Sequence, residues 1–507
     1  MSAKKFRFYL TGIVLLSFLA ANAQDYAETA LLFTRNKPSG SARILGLGGA
    51  QTALGGDYSS ALSNPAGLGM YNRSEFTFSL GLADHKTSAN YLGTHTDENR
   101  SVFNIPGFSY VWNLPPRNPD GPYVGGSFGI SFSRTNDFNR ETIYKGDNQN
   151  NSIIDYFIDQ AWGETTDQFF DNGRHVNTPT GLAYFNYLIG ARSILPDPGP
   201  PDEYFTDADY PYQNEEILVK GATNQFNFSY GGNLKDMFFF GGGIGISKIR
   251  YDSRKVFNEQ FADGPLIEMQ LMEDLGISGT GVNATFGAIV RPVNYLQLGV
   301  SYTTPTFYQM SETYDASMWS RWDNYDYYGD GTKILTDNSN NPEFIDQIIS
   351  EYNFTSPSRL RGGATFISKF GFITADVEVT NPSKAKYKSR ESFISFQPEN
   401  ESIRERYQSV INFRLGAEYR HDIWRVRAGY GMLSNTYNDS FDVDNAITTV
   451  SGGVGIRMQT FYVDLAVISS STNRYDYRPY TFFDGSGPVA EFKDRSLNGV
   501  ITVGFTF

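Results

Sequence analysis

The sequence predicts an all-β protein, a transmembrane antiparallel β-barrel of about fourteen strands with an N-terminal plug and long extracellular loops. Three observations predict it. Apolar residues alternate with small or polar ones through many separate segments; the links between these segments alternate short and long; and past the N-terminus no apolar stretch approaches the length of a membrane-spanning helix. Only helices and closed barrels satisfy every backbone polar group in hydrocarbon, and barrel strands, being half apolar, leave no hydropathy peak.

The chain opens with a targeting signal, residues 1–23. Lys4, Lys5 and Arg7 are followed by an apolar run from Leu10 to Ala20 and by Ala21-Asn22-Ala23, small residues at the two positions a signal peptidase reads. Cleavage is expected before Gln24. The run falls short of the roughly 20 apolar residues that a membrane anchor needs.

Period-two alternation is clearest at the C-terminus, where Gly499, Ile501, Val503, Phe505 and Phe507 share one face. Strands are predicted to centre near Phe78, Tyr110, Ile130, Phe228, Ile244, Phe286, Leu298, Ala364, Ala375, Leu415, Ala428, Val454, Val463 and Val503. An even number suits single-chain bacterial barrels. From the fourth strand on, tight turns at 233–235, 291–294, 368–369, 421–422 and 459 alternate with much longer links, the asymmetry of short periplasmic turns and long external loops. Residues 147–220 and 306–357 are expected as the largest loops. Within the first, Ser152 to Trp162 reads as an amphipathic helix; the second is dense in Tyr, Trp, Asp and Asn, which suits either a solvated surface or an aromatic capture site at the barrel mouth.

If the apolar face of each strand meets lipid, the other face lines the lumen. Arg361, Asp376, Glu378, Arg414, Glu418, Arg425, Arg427, Arg457 and Asp464 then point inward on successive strands. They read either as a structural network of paired charges or, through Arg361, Arg414 and Arg427, as contacts for an anionic head group. Catalysis has little support: His85, His95 and His175 fall in loops, His421 falls in a turn, and no HExxH, GxSxG or phosphate loop occurs. No cofactor and no metal is expected. Cysteine is absent, which excludes a lipid anchor on sulfur and disulfides, and a formal charge of −13 argues against a nucleic-acid partner.

About 50 residues separate the signal from the first strand. From Ser39 to Gly69 they are rich in Gly and Ala and poor in charge, which suggests a segment buried in a confined space. The run Gly-Gly-Ala…Ala…Asp…Ala-Leu…Asn-Pro-Ala-Gly-Leu from Gly48 to Leu68, leading into an aromatic strand, resembles the long-chain fatty-acid transporter (FadL-type) family of outer-membrane proteins. Looser agreement continues through Gly279–Pro292 and Gly299–Pro305 to the terminal strand. The resemblance implies a fourteen-stranded barrel in the outer membrane of a Gram-negative cell. It implies a hatch over 24–72, with Asn64, Pro65, Ala66 and Gly67 in it, followed by the barrel over 73–507. It further implies passive uptake of hydrophobic small molecules, fatty acids or aromatics, with release into outer-membrane lipid through an irregularity in the third strand. Gly125, Gly126 and Phe128, or the Thr135–Asp137 end, are candidates for that irregularity. The chain is expected to act as a monomer. The rival expectation is a structural or secretion-associated barrel whose loops bind protein partners; a haem receptor would need His or Tyr residues converging on one site.

Overall fold

A computed structural model describes residues 26–507 apart from 117, 119–120, 172–174, 177, 193–202, 392–393, 442 and 474. The expected signal and cleavage point lie outside the described residues.

Fourteen strands form the wall: β1 (Glu75–Tyr91), β2 (Thr94–Leu114), β3 (Tyr123–Asp137), β4 (Pro211–Leu234), β5 (Phe238–Phe261), β6 (Leu266–Val293), β7 (Leu296–Thr303), β8 (Arg359–Ser368), β9 (Gly371–Thr380), β10 (Val410–His421), β11 (Trp424–Leu433), β12 (Ile447–Arg457), β13 (Phe461–Thr472) and β14 (Ala490–Thr506). Each pairs antiparallel with the next, and β14 closes the ring on β1, from Phe76 against Phe505 to Tyr91 against Ala490. Every predicted strand centre lies on one of these strands. The closure returns the sheet onto itself, the condition for placing a sheet in lipid. Outward residues such as Phe286, Leu298, Leu360, Ile373, Leu415, Val454, Leu465 and Phe505 are exposed and apolar. Their inward neighbours are small or polar, so the apolar surface is the one that meets hydrocarbon.

The turns at one end are tight, as expected. At the other end the structure corrects the loop reading. Strands β5 and β6 are joined at 262–265, and β1 and β2 at 92–93, by turns as short as those opposite. Strand β6 has 28 residues, whereas about 10 tilted residues cross a bilayer. Much of what reads as external loop is therefore wall continued beyond the membrane. Residues 306–357 likewise hold two long strands, Phe307–Trp322 and Glu343–Thr355, the first paired with the upper part of β6 and the second with the first. Their polar composition hid them: above the lipid the outward face can be charged, and apolar–polar alternation then no longer marks one membrane-facing side. In the larger link, helix α2 (Ile153–Ala161) falls within the range expected of it. Ser152 and Asp155 form a capping box at its start, and Ile153, Ile154 and Phe157 are buried. A second helix, α3 (Pro179–Phe185), follows. With α2 it packs on inward residues of the wall extension, Phe257, Leu266, Met269 and Met318, as a cap.

The N-terminal segment fills the lumen at the tight-turn end. At several points it meets the wall backbone to backbone, while Leu45, Tyr58 and Leu68 pack on wall side chains. A Cβ on Gly429 of β11 would lie 2.0 Å from the Gly48 nitrogen, and one on Gly299 of β7, 2.4 Å from the Thr52 oxygen. A Cβ on Gly241 of β5 would lie 2.4 Å from the Ala66 nitrogen. Asn64 accepts a hydrogen bond from the Ala66 amide at 3.2 Å and donates to the Thr52 carbonyl at 2.6 Å, fixing the 3-10 turn Pro65–Met70 against β4 and β5. Gly67 closes on Gly55, whose Cα would lie 2.8 Å from a Cβ there. Opposite, Asp376 of β9 accepts from the Gln51 amide at 2.7 Å and from the Thr52 amide and hydroxyl, each at 2.8 Å.

Asp376→Ala would leave those donors buried without an acceptor, at a cost of about 3 kcal/mol to docking of the segment. The variant barrel should still assemble but pass a steady ion current in planar bilayers where the parent passes little. Equal conductance would show that Asp376 does not hold the segment in place.

Candidate functional site

The inward charges pair with one another. Glu378 accepts from Arg361 Nε at 2.5 Å, from Arg414 Nη2 at 3.3 Å and from Asn412 Nδ2 at 3.0 Å. Arg427 donates to Glu418 at 2.7 Å and to Asp464 at 2.6 Å. Arg43 of the N-terminal segment approaches Glu418 at 3.7 Å and donates to the Gly56 carbonyl at 2.8 Å. Pairing of this kind lets charges of both signs occupy a nearly dry interior. The structure separates the three arginines singled out by sequence. Arg361 and Arg414 line a small polar cavity with Lys37, Gln51, Arg359 and Asp376, whereas Arg427 is fully enclosed and lines no part of it. Arg414 Nε and Gln51 Oε1, on two of the lining residues, have no hydrogen-bond partner.

Above this cavity lies an aromatic chamber. Tyr308, Tyr352 and Phe354, which sequence places in a loop, stand on the two added strands and face it together with Phe138, Tyr144, Ile249, Tyr387 and Tyr407. Helix α1 (residues 26–34) occupies the chamber. Its apolar residues Ala27, Ala30, Leu31 and Phe33 recur with the helical period. The Phe33 ring meets those of Phe138, Tyr251 and Phe354 at centroid distances of 5.8, 6.1 and 6.3 Å. Tyr26 is ringed by Tyr352, Tyr387 and Phe396. The Tyr407 hydroxyl donates to the Ala27 carbonyl at 2.9 Å and that of Tyr387 to the Tyr26 carbonyl at 3.1 Å. Sequence reasoning treated residues 24–72 as one glycine-rich unit and missed this helix, although the spacing of Ala27, Ala30, Leu31 and Thr34 is an i, i+3, i+4, i+7 pattern.

The wall beside the chamber is incomplete. Strand β2 pairs with β3 from Leu114–Gly126 up to Gly107–Ser133 and no further, while β3 and the segment Arg140–Asp147 continue on β4. Above Gly107, β2 therefore has a ladder only with β1, and Pro106, which has no amide to donate, stands where the pairing stops. The β1–β2 register also slips there, between Ser79 and Gly81. Phe103 and Ile105, just above, are outward and exposed, which puts the unpaired seam at the level of lipid. Higher up, Arg100 reaches Glu141 at 3.4 Å and Thr96 donates to the Ile143 carbonyl at 2.5 Å, so side chains replace the ladder. On the inner side Asn136 donates to the carbonyls of Leu32 and Arg35, at 3.1 and 3.0 Å, and ties the seam to the end of α1.

Sequence put the candidate irregularity at Gly125, Gly126 and Phe128 or at the Thr135–Asp137 end. At Gly126 and Phe128 the pairing is intact on both sides. Gly125, with φ +139°, marks a register shift at the tight-turn end, and a second shift falls between Arg134 and Asn136 beside the seam. The histidines do not gather: His85 lies 3.7 Å from Asp137, and His95 lies 3.5 Å from Asp97.

The cap over the chamber hangs on a buried carboxyl. Glu259 accepts from Ser152 Oγ at 2.5 Å, from the Ile153 amide at 2.8 Å and from Gln213 Nε2 at 2.7 Å. Burial outweighs these donors and pushes it up to about 7. Glu215, against Tyr144 and Tyr477, is pushed up to about 7 by the same cause.

No family model matches the chain, and no curated protein sequence matches it. Solved structures do. A crystal structure of a Pseudomonas aeruginosa FadL homologue aligns with a TM-score of 0.56 at 13% identity, covering 93% of this chain and 99% of that one. The P. putida toluene transporter TodX aligns at 0.49 and 11% identity, over 93% and 99% of the two chains. The Ralstonia pickettii toluene transporter TbuX aligns at 0.47 and 15% identity, over 93% and 99%. The chain thus has the FadL-like fold, a fourteen-stranded barrel.

Because the folded cap retains protons that the unfolded chain releases above the ordinary carboxylate range, cap stability falls as pH rises from about 4.5 to about 7 and then levels off. Hydrogen exchange of α2, corrected for intrinsic rates, should be slower at pH 5 than at pH 8. Glu259→Gln should flatten most of that dependence; an unchanged profile in the variant would remove Glu259 from the account.

Proposed function

We propose that this barrel lies in the outer membrane of a Gram-negative cell and takes up hydrophobic small molecules, fatty acids or aromatics, passing them sideways into lipid. One observation carries the reading: an aromatic chamber inside the wall adjoins a seam without ladder bonds at the height of outward Phe103 and Ile105. A solute that prefers hydrocarbon gains by leaving such a chamber toward the bilayer rather than toward water. The segment around Asn64, Pro65, Ala66 and Gly67 serves as the hatch that blocks straight flow. Helix α1 is a tethered stand-in for the solute: it covers the chamber's apolar surface while the site is vacant and must yield when a ligand enters. Arg361 and Arg414, in the cavity below, suit the carboxylate of a fatty acid. Arg427, enclosed by Glu418 and Asp464, is not given that task. The fold neighbour from Pseudomonas aeruginosa, a FadL homologue, supports the reading.

A second reading has an observation of its own. The lumen is filled, and a filled lumen suits a barrel whose external wall and loops bind a protein partner. The aromatic chamber is filled by a short helix of the N-terminal segment rather than by wall side chains, which favours the transport reading.

The test is binding of a dansyl-labelled undecanoic acid and of toluene to purified protein with the signal intact during export. Removing residues 26–37 should raise affinity for the labelled acid by at least tenfold, because the competitor is gone, and Phe354→Arg in the truncated chain should abolish it. No binding by the truncated protein would overturn the transport reading, as would a large steady conductance of the full chain.

A further inference from the structure

The outer surface of β3 to β6 changes character within a single step of the strands. Phe132, Phe226, Ile246 and Val282 lie in one paired row across the four strands, all outward and apolar. The next outward row is Arg134, Asn224, Lys248 and Thr280, again in register. Arg250 follows on β5, and then Lys220 lies opposite Asp252. On the far side of the barrel the apolar row Tyr302, Leu360, Val379 and Ile411 is followed by Thr304, Ser358, Asn381 and Ser409, none of them charged. The cationic row directly above the apolar belt on β3 to β6 thus has no counterpart on the far side, in a chain whose formal charge is −13.

The patch is not consumed by internal pairing. Arg134 lies 3.1 Å from Asp137, with its side chain about a quarter exposed. Arg250 is paired only with Asp252, at 2.9 Å, with its side chain three-quarters exposed. Neither Lys248 nor Lys220 has an ion pair among the described residues. Strand spacing puts the backbones of Arg134 and Lys248 roughly 10 Å apart, on either side of Asn224, which is a span that one phosphate can bridge. Two residues down each strand, about 7 Å, the apolar row offers a shelf for acyl chains.

We propose that Arg134, Lys248, Arg250 and Lys220 form a binding site for a phosphate-bearing lipid of the leaflet on the loop side, its head group on the cations and its chains on Phe132, Phe226, Ile246 and Val282. The vertical order, phosphate above hydrocarbon at the point where the wall leaves the apolar layer, is that of the lipid itself. Guanidinium and ammonium groups supply the charge-assisted hydrogen bonds that hold phosphate at such a boundary. The site borders the seam on its β3 side, so a lipid held there would be the first that a departing solute meets. The proposal needs only that the barrel spans a bilayer, and does not depend on what passes through it.

The experiment uses the full chain in uncharged detergent and counts bound lipid by native mass spectrometry. The probes are dioleoyl phosphatidic acid, dioleoylglycerol and inorganic phosphate. The parent should retain phosphatidic acid and the K248Q/R250Q variant should bind it at least tenfold more weakly. A control of equal charge loss at the loop tips, K333Q/R478Q, should bind like the parent. Diacylglycerol should not be retained by any of them, and millimolar phosphate should not displace the lipid. Equal retention by the K248Q/R250Q variant, an equal loss in the control, equal retention of diacylglycerol, or displacement by phosphate would each overturn the assignment. The two residues are outward and exposed, and unchanged heat-modifiable mobility of the variant confirms that the barrel still closes.

Discussion

In hydrocarbon an unpaired backbone amide or carbonyl has no water to turn to, and the architecture follows from that constraint. It sets the closure of β14 on β1 and keeps charge off the outward face within the apolar belt. It also gives the one interruption its meaning. Where β2 leaves β3 above Gly107, the structure does not leave the groups to lipid alone: Arg100, Glu141, Thr96 and Asn136 stand across or behind the seam. A break that is buttressed by side chains can open at a cost of a few hydrogen bonds, whereas the continuous ladder elsewhere in the wall cannot.

A second constraint operates inside. The N-terminal segment meets the wall main chain to main chain, with Gly429, Gly299 and Gly241 supplying the absent side chains and Asp376 supplying the anion. Glycine is unfavourable in strands, and its presence at these inward positions makes sense only with the segment in place. Wall and plug are thus one folding problem, and the fourteen strands are shaped for an occupant as much as for the membrane.

Much of this was legible in the sequence because the membrane enforces a regular rule. All fourteen wall strands were found where one face must be apolar, and the closing partner of the terminal strand followed from topology. Asn64-Pro65-Ala66-Gly67 was legible as a motif, though its contact with the backbones of β4 and β5 was not, since nothing local records which glycine faces which. The two strands at Phe307–Trp322 and Glu343–Thr355 escaped because the rule lapses above the lipid. Their Tyr308, Tyr352 and Phe354 read as loop aromatics, and only pairing with β6 turned them inward. The seam escaped for a different reason: Pro106 is a single residue in a strand that otherwise alternates normally, and the loss of pairing depends on where β3 goes next.

The length of the wall has one more consequence. A strand of 28 residues rises far above the layer that needs only about 10. The barrel therefore stands clear of the bilayer as a shaft, displacing whatever coat of sugar and ion lies over the lipid. The aromatic chamber sits partly within that shaft. On the proposed uptake route, a solute enters above the lipid rather than at its surface, and the height of the shaft sets how far from the bilayer that entry lies.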